Sequence, residues 1–172
     1  KIKGEGPSIV KQALSDKDAN IRIVGIRLAR QLKMDLESYA NSVVRDSSPQ
    51  VRRELLIALR GVKSAKATEL WVELAQQYSG KDRWYLEALG ISADGNDDEV
   101  FTAWKNQMGD GWNTPAGRDI IWRSRAGEAA EYLVKILQNA NTPVDQHDHY
   151  MRAFDFHQGD KKEAALKRLL GL

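Results

Sequence analysis

Apolar positions along this chain recur at helical spacing, and no segment alternates polar and apolar residues as a strand would. Ile21, Val24, Leu28 and Leu32 fall three and four residues apart, and so do Val51, Leu55, Ala58 and Leu59. Each set predicts one buried helix face, over 21–32 and 49–60. The same reading predicts helices at about 8–14, 35–45, 65–78, 82–91, 96–108, 115–126, 127–140, 145–157 and 160–170.

The punctuation agrees with that pattern. Pro7, Pro49, Pro115 and Pro143 follow Gly6, Ser48, Thr114 and Thr142. Each pair reads as an N-cap followed by proline at the first helical position, where a missing N–H costs nothing. Asn96 with Glu99 reads as a capping box. Gly61, Gly80, Gly109 and Gly159 stand where helices should stop.

The predicted helices pair up, and the second members begin near 20, 49, 82, 115 and 145. Asp16, Ile21 and Arg22 return thirty residues later as Asp46, Val51 and Arg52. Leu56, Ala58 and Leu59 return in the same way as Leu86, Ala88 and Leu89. Such self-similarity marks stacked helical hairpins, none of which can bury its apolar face alone. The expected fold is therefore all-α, a right-handed α-α superhelix filling one domain over 1–172. Its hairpins would span about 7–32, 35–61, 65–91, 96–126 and 127–157, with a capping helix at 160–170.

The Asp-x4-apolar-Arg motif resembles the HEAT repeat, of a short HEAT-like or armadillo-type kind. It is specific in the first third of the chain, whereas position 76 is Gln where a third Asp would fall. The motif reads as structural. Asp would accept backbone N–H groups at the second helix's start, and Arg would pair with an Asp of its own or the adjacent hairpin. On capping alone, Asp46→Ala should cost about 1 kcal/mol.

A narrower resemblance rests on KDRWYLEALG (81–90), GRDIIWRSRA (117–126) and YMRAFDFHQG (150–159). These are similar to the HEAT-like region of large exported bacterial proteins described as membrane-bound dehydrogenases. Such proteins join a β-propeller, a HEAT-like region and a CxxCH cytochrome c domain. The resemblance implies a periplasmic or extracellular setting, with redox chemistry carried by neighbouring domains. The chain begins Lys-Ile-Lys without Met, so it is expected to be a piece of a longer protein.

Composition narrows the chemistry. With 26 Lys and Arg against 24 acidic residues, the formal charge is +2. That balance does not call for nucleic acid or an anionic membrane. No apolar run approaches the roughly 20 residues a spanning helix needs. Without cysteine the chain has no thiolate nucleophile, disulfide or covalent c-type haem site. It has no P-loop, GxGxxG, GxSxG or HExxH, so no cofactor is expected and the chain is not expected to be an enzyme by itself.

Candidate binding residues lie on the second helices, which would line a concave face. Arg53, Arg83, Arg118, Arg123, Arg125 and Arg152 alternate there with Glu54, Glu87, Asp119 and Asp155, with Trp84, Tyr85 and Trp122 interleaved. The residues expected to bind are Arg83, Trp84, Glu87, Arg118, Asp119, Trp122, Arg125 and Arg152. Arg forks suit carboxylates and indoles suit apolar or sugar faces, so the expected partner is a protein or neighbouring domain, or else a carbohydrate or peptide. The competing reading is an Arg–carboxylate network between hairpins, with the aromatics in the core. Arg118, Asp119, Trp122 and Arg125 would form one pocket rim.

Three other patterns are weaker. His147, His149 and His157 lack the i, i+4 spacing of a zinc helix and read as surface or interface residues. DGNDDE (94–99) has Glu99 where a calcium loop needs Gly and Lys105 where it needs Glu, so it reads as a helix start. Met108–Asn113 is the least regular stretch, a binding rim or a long connection with Trp112 in the core. The alternative function is that of the helical-repeat alkylpurine DNA glycosylases, also short HEAT-like proteins. Trp122 with Asp119, or Trp84 with Glu87, would imitate their lesion-flanking residues, but a charge of +2 lacks the basic surplus of a duplex binder.

Overall fold

The computed structural model describes residues 4–172. Among them are ten α-helices and five short 3₁₀ turns, and no strand. The helices are α1 (Gly6–Leu14), α2 (Ala19–Gln31), α3 (Pro49–Leu59), α4 (Ala65–Gln76), α5 (Arg83–Ala93), α6 (Asp97–Met108), α7 (Pro115–Arg123), α8 (Ala129–Leu137), α9 (His147–Ala153) and α10 (Asp160–Leu170). The all-α class is thus as expected. None of these helices is long and apolar enough to cross a membrane.

Side-chain capping marks four of the ten helix starts. The side chains of Asp18, Ser64, Asp82 and Thr114 accept from backbone N–H groups at the starts of α2, α4, α5 and α7. The prolines are less uniform than predicted. Pro7 sits inside α1, which begins at Gly6 behind an uncapped Glu5. Ser48 is the N-cap position of α3, but its hydroxyl donates to Gln50 Oε1 (2.9 Å). Thr142 caps no helix. Its hydroxyl donates back to the Ile136 carbonyl (2.6 Å), closing the end of α8, and Pro143 leads only into a 3₁₀ turn. The capping box at Asn96 is absent too, because Glu99 accepts from the Thr68 hydroxyl (2.7 Å) and so ties α6 to α4.

Residues 35–45 form two 3₁₀ turns, 36–38 and 40–42, not a helix. Ser38 and Ser42 hydroxyls donate to the Asp35 and Tyr39 carbonyls, competing for acceptors that an α-helix would use. The stretch still buries Leu36, Tyr39, Ala40, Val43 and Val44. The helix predicted at 145–157 is likewise shorter, with α9 flanked by 3₁₀ turns at 144–146 and 154–156.

The core runs the length of the chain, with Leu55, Leu74, Tyr85, Phe101, Trp104, Ile121 and Leu133 nearly fully enclosed. Buried aromatics keep their polar atoms bonded. Trp71 Nε1 donates to the Leu89 carbonyl (3.0 Å) and the Tyr85 hydroxyl to that of Leu74 (2.9 Å), each joining α4 to α5. In α2 the inward face is not the predicted one. Gly25, Ile26 and Ala29 are buried and Leu28 packs half-buried against the core, whereas Ile21, Leu32 and Val24 (53% exposed) turn outward. Gly25 sets that rotation, since a Cβ there would press on Ala13 and Leu14 of α1. In α3 the predicted face holds, with Val51, Leu55, Ala58 and Leu59 all buried.

The N-caps of α2, α3, α5, α7 and α9 are Asp18, Ser48, Asp82, Thr114 and Gln146, 30 to 34 residues apart. Each of these helices packs on the next of the set, α2 on α3, α3 on α5, α5 on α7 and α7 on α9. In addition α4 packs on α6, and α8 on α10.

Candidate functional site

The Asp/Arg motif builds a clamp between helices. Asp16 and Asp46 each accept the backbone N–H two residues on, from Asp18 and Ser48, so they shape the turn before the helix instead of capping it. Arg22 then crosses from α2 to Asp46 with two parallel bonds, Nε to Oδ2 (2.6 Å) and Nη2 to Oδ1 (2.8 Å). Its Nη1 donates to the Asp16 carbonyl (2.8 Å). The two side chains are only 14% and 6% exposed. Burial pushes the Asp46 carboxyl up, but Arg22 and the Ser48 N–H outweigh it and hold the group below its ordinary value.

The clamp does not continue. Arg52 lies at the same place in α3, four residues past the N-cap, but the residue two before the next N-cap is Gly80, which has no carboxylate. Arg52 donates to the Asp46 carbonyl and lies 5.8 Å from the Tyr85 ring centre, with Nε unpaired. In α7 the corresponding residue is Arg118.

An open groove of about 970 Å³ runs across α2, α3 and α5, lined by Arg27, Arg53, Glu54, Arg83, Trp84 and Glu87 with Ile57, Ala88 and Ile91. Each of its carboxylates is held by two arginines. Glu54 receives Arg27 (2.8 Å) and Arg30 (3.9 Å), and Glu87 receives Arg123 of α7 (2.9 Å) and Arg83 (3.4 Å). Arg123 can lie flat against α5 because residue 90 is Gly, where a Cβ would overlap the guanidinium. Arg53 reaches Asp82 only at 3.9 Å, and the Arg83 side chain is 76% exposed. Trp84 stands 71% exposed among these cations. Of the predicted residues, Arg83, Trp84 and Glu87 therefore share this groove, while Tyr85 on the same helix faces the core. The sequence reading missed Arg27, which precedes the stretch it considered.

Arg118 and Asp119 line a second pocket, of about 570 Å³, with Gln146, His149 and Tyr150 from the α9 region and Gly80, Pro115, Asn141 and Pro143 at its edges. Arg118 Nε donates to Asn113 Oδ1 (2.7 Å) and the Tyr78 hydroxyl donates to Asp119 Oδ2 (3.0 Å). Burial raises the Asp119 carboxyl, against the pull of Tyr78 and His149. Burial and Asp119 together push the Tyr78 hydroxyl well up. Gly117 positions Asn113 for this, because a Cβ at 117 would collide with the Trp112 carbonyl. Trp112 itself packs edge-on against Tyr132 (5.0 Å).

Trp122 and Arg125 do not join Arg118 and Asp119 in that pocket. Trp122 stacks on His149 (4.4 Å, 18°) and donates from Nε1 to its carbonyl (3.0 Å), supporting the pocket wall from behind. Arg125 turns to the Trp122 and Ser124 carbonyls and lies 4.4 Å from the Phe156 ring centre. Arg152 is exposed on α9, with no ion pair among the described residues. His157, expected near the surface, is 4% exposed with Nε2 unpaired, and burial with Arg125 and Lys162 depresses it to about 4. No group of three His, Asp or Glu side chains suited to a metal occurs among the described residues. Asp98, in the stretch that resembled a calcium loop, accepts from the Gly127 N–H (2.8 Å). A scan of protein-family models finds none that matches this chain, and comparison with curated proteins and with solved structures finds no match either.

Proposed function

We propose that this chain is a HEAT-like helical-repeat module, a right-handed superhelix without catalytic activity of its own, that holds an extended segment of another protein or of a neighbouring domain. The 30-to-34-residue spacing of the N-caps and the packing of α2, α3, α5, α7 and α9 in series support the repeat reading. The observation that carries the binding reading is Trp84, 71% exposed in an open groove and flanked by Arg53 and Arg83. An exposed indole among guanidiniums is the composition of an interface anchor. Glu54 and Glu87 serve to hold the groove's walls together. That same pairing weighs against a lesion-type enzyme, since Glu87 is occupied by Arg83 and Arg123. The larger exported, redox-linked protein suggested by the resemblance is the setting this proposal favours.

The test is selection of displayed extended peptides on the immobilised protein, with Trp84→Ala as counter-screen. Selected peptides should lose at least about ten-fold in affinity for Trp84→Ala. Failure to select any sequence, or equal binding to the variant, would remove the groove as the binding site.

A further inference from the structure

The pocket between α7 and α9 holds two opposite charges that do not meet. Arg118 and Asp119 are neighbours in sequence, line the same cavity, and form no ion pair among the described residues. Each is steadied by a neutral group instead, Arg118 at Nε by the Asn113 amide oxygen (2.7 Å) and Asp119 at Oδ2 by the Tyr78 hydroxyl (3.0 Å). Those bonds fix the two side chains while leaving the Arg118 Nη groups and Asp119 Oδ1 without an ionic partner among the described residues. Tyr78, 41 residues before Asp119, is a buried ring stacked on Tyr85 that turns its hydroxyl to the carboxylate, and Asn113 lies five residues before Arg118. Between other helices Arg and carboxylate do meet directly, as when Arg22 meets Asp46 and Arg123 meets Glu87.

We infer that this pocket binds a small zwitterion, a free α-amino acid, with its carboxylate on Arg118 and its ammonium on Asp119. An Arg fork matches a carboxylate in two parallel bonds, and a partly buried carboxylate is best satisfied by a cation that brings several donors. A ligand of one sign would leave the other group unpaired, whereas a zwitterion satisfies both at once. Gln146 supplies a neutral hydrogen-bonding amide, and His149 and Tyr150 complete the pocket lining beside it. His149 is held in place by Trp122 behind it. Burial keeps the Asp119 carboxyl high, the state expected of a charged group awaiting a counter-ion.

This inference is independent of the groove, which lies on α2, α3 and α5. The test is calorimetric titration of the whole chain at neutral pH with a panel of free amino acids, their N-acetyl derivatives, their carboxamides and glucose. Free amino acids should bind, and blocking either end should weaken binding at least about ten-fold. Arg118→Gln should abolish discrimination against the carboxamides, and Asp119→Asn that against the N-acetyl forms. Trp84→Ala should bind as the wild type does, so failure of the groove proposal leaves this result untouched. Because Asp119→Asn keeps shape and volume, circular dichroism can separate lost binding from lost folding. Equal binding of blocked forms or of glucose would overturn the inference, and so would no binding of any free amino acid to the folded protein.

Discussion

Arg22 and Arg118 stand at the same place, four residues past the N-caps of α2 and α7, and live in different electrostatic surroundings. Arg22 is gripped by a carboxylate in the turn that leads into the next helix of its row, while Arg118 has an amide oxygen instead. The difference lies two residues before the next N-cap, where Asp46 serves Arg22 but Val144 follows Arg118. More broadly, the first half of the chain pairs Arg22 with Asp46, although Arg52 Nε stays unpaired, while in the second half the half-buried Asp119 and the buried His157 have no ionic partner among the described residues. A repeated position can therefore be structural in one layer and released for binding in another, according to a single residue on the neighbouring layer.

The sharpest way to break this contrast is acid. His157 is neutral in the fold, at about 4 against 6.5 for a free imidazole. The unfolded chain takes the proton first as pH falls, so stability is full above about 6.5 and is lost down to about 4, on the order of 3 kcal/mol. Denaturant titrations at pH 7 and 4.5 should show this loss in the wild type and a smaller one in His157→Leu. Asp46→Ala comes next. It strips Arg22 of both bonds and frees the Ser48 N–H, so it should cost about 2 kcal/mol, more than capping alone suggests, and lower the melting temperature by about 4–8 °C.

Gly117→Ala should cost a similar or slightly smaller amount, about 1–2 kcal/mol, because backbone at Trp112 must move. It should also weaken amino-acid binding by displacing Asn113 from Arg118, which calorimetry would register. Asp119→Asn should have the smallest effect and the opposite sign. The folded carboxyl is raised, so ionisation opposes folding at neutral pH and the opposition fades as pH falls into the carboxylate range. The variant should gain on the order of 0.5 kcal/mol at pH 7 and lose that advantage in acid, the reverse of Asp46. Equal pH profiles for Asp46 and Asp119 variants would erase the distinction between the two halves.

Much of the helical order was legible because it is local. Spacing of Val51, Leu55 and Leu59, and caps such as Thr114, act within a few residues. The 35–45 stretch misled because buried apolar residues at helical spacing say nothing about serines that occupy the carbonyls. The outward turn of Val24 was hidden because the face of α2 is set by contact of Gly25 with α1. In the candidate sites, Arg83, Trp84 and Glu87 line one groove because they share one helix. The Arg118 pocket was only half visible. The sequence names Arg118 and Asp119, but Tyr78, which bonds Asp119, and His149, which lines the same pocket, come from distant segments and carry no local signal. Arg125 was misplaced because α7 ends at Arg123 and the chain turns away before it.

The principal helix contacts all join elements no more than two helices apart in sequence. A chain built this way never has to close a long loop to form its core, so folding should be rapid and able to start at several points along its length. By the same geometry, opening one end breaks few contacts elsewhere, so amide protons of α1 and α10 should exchange far sooner than those around Leu55, Leu74 and Tyr85.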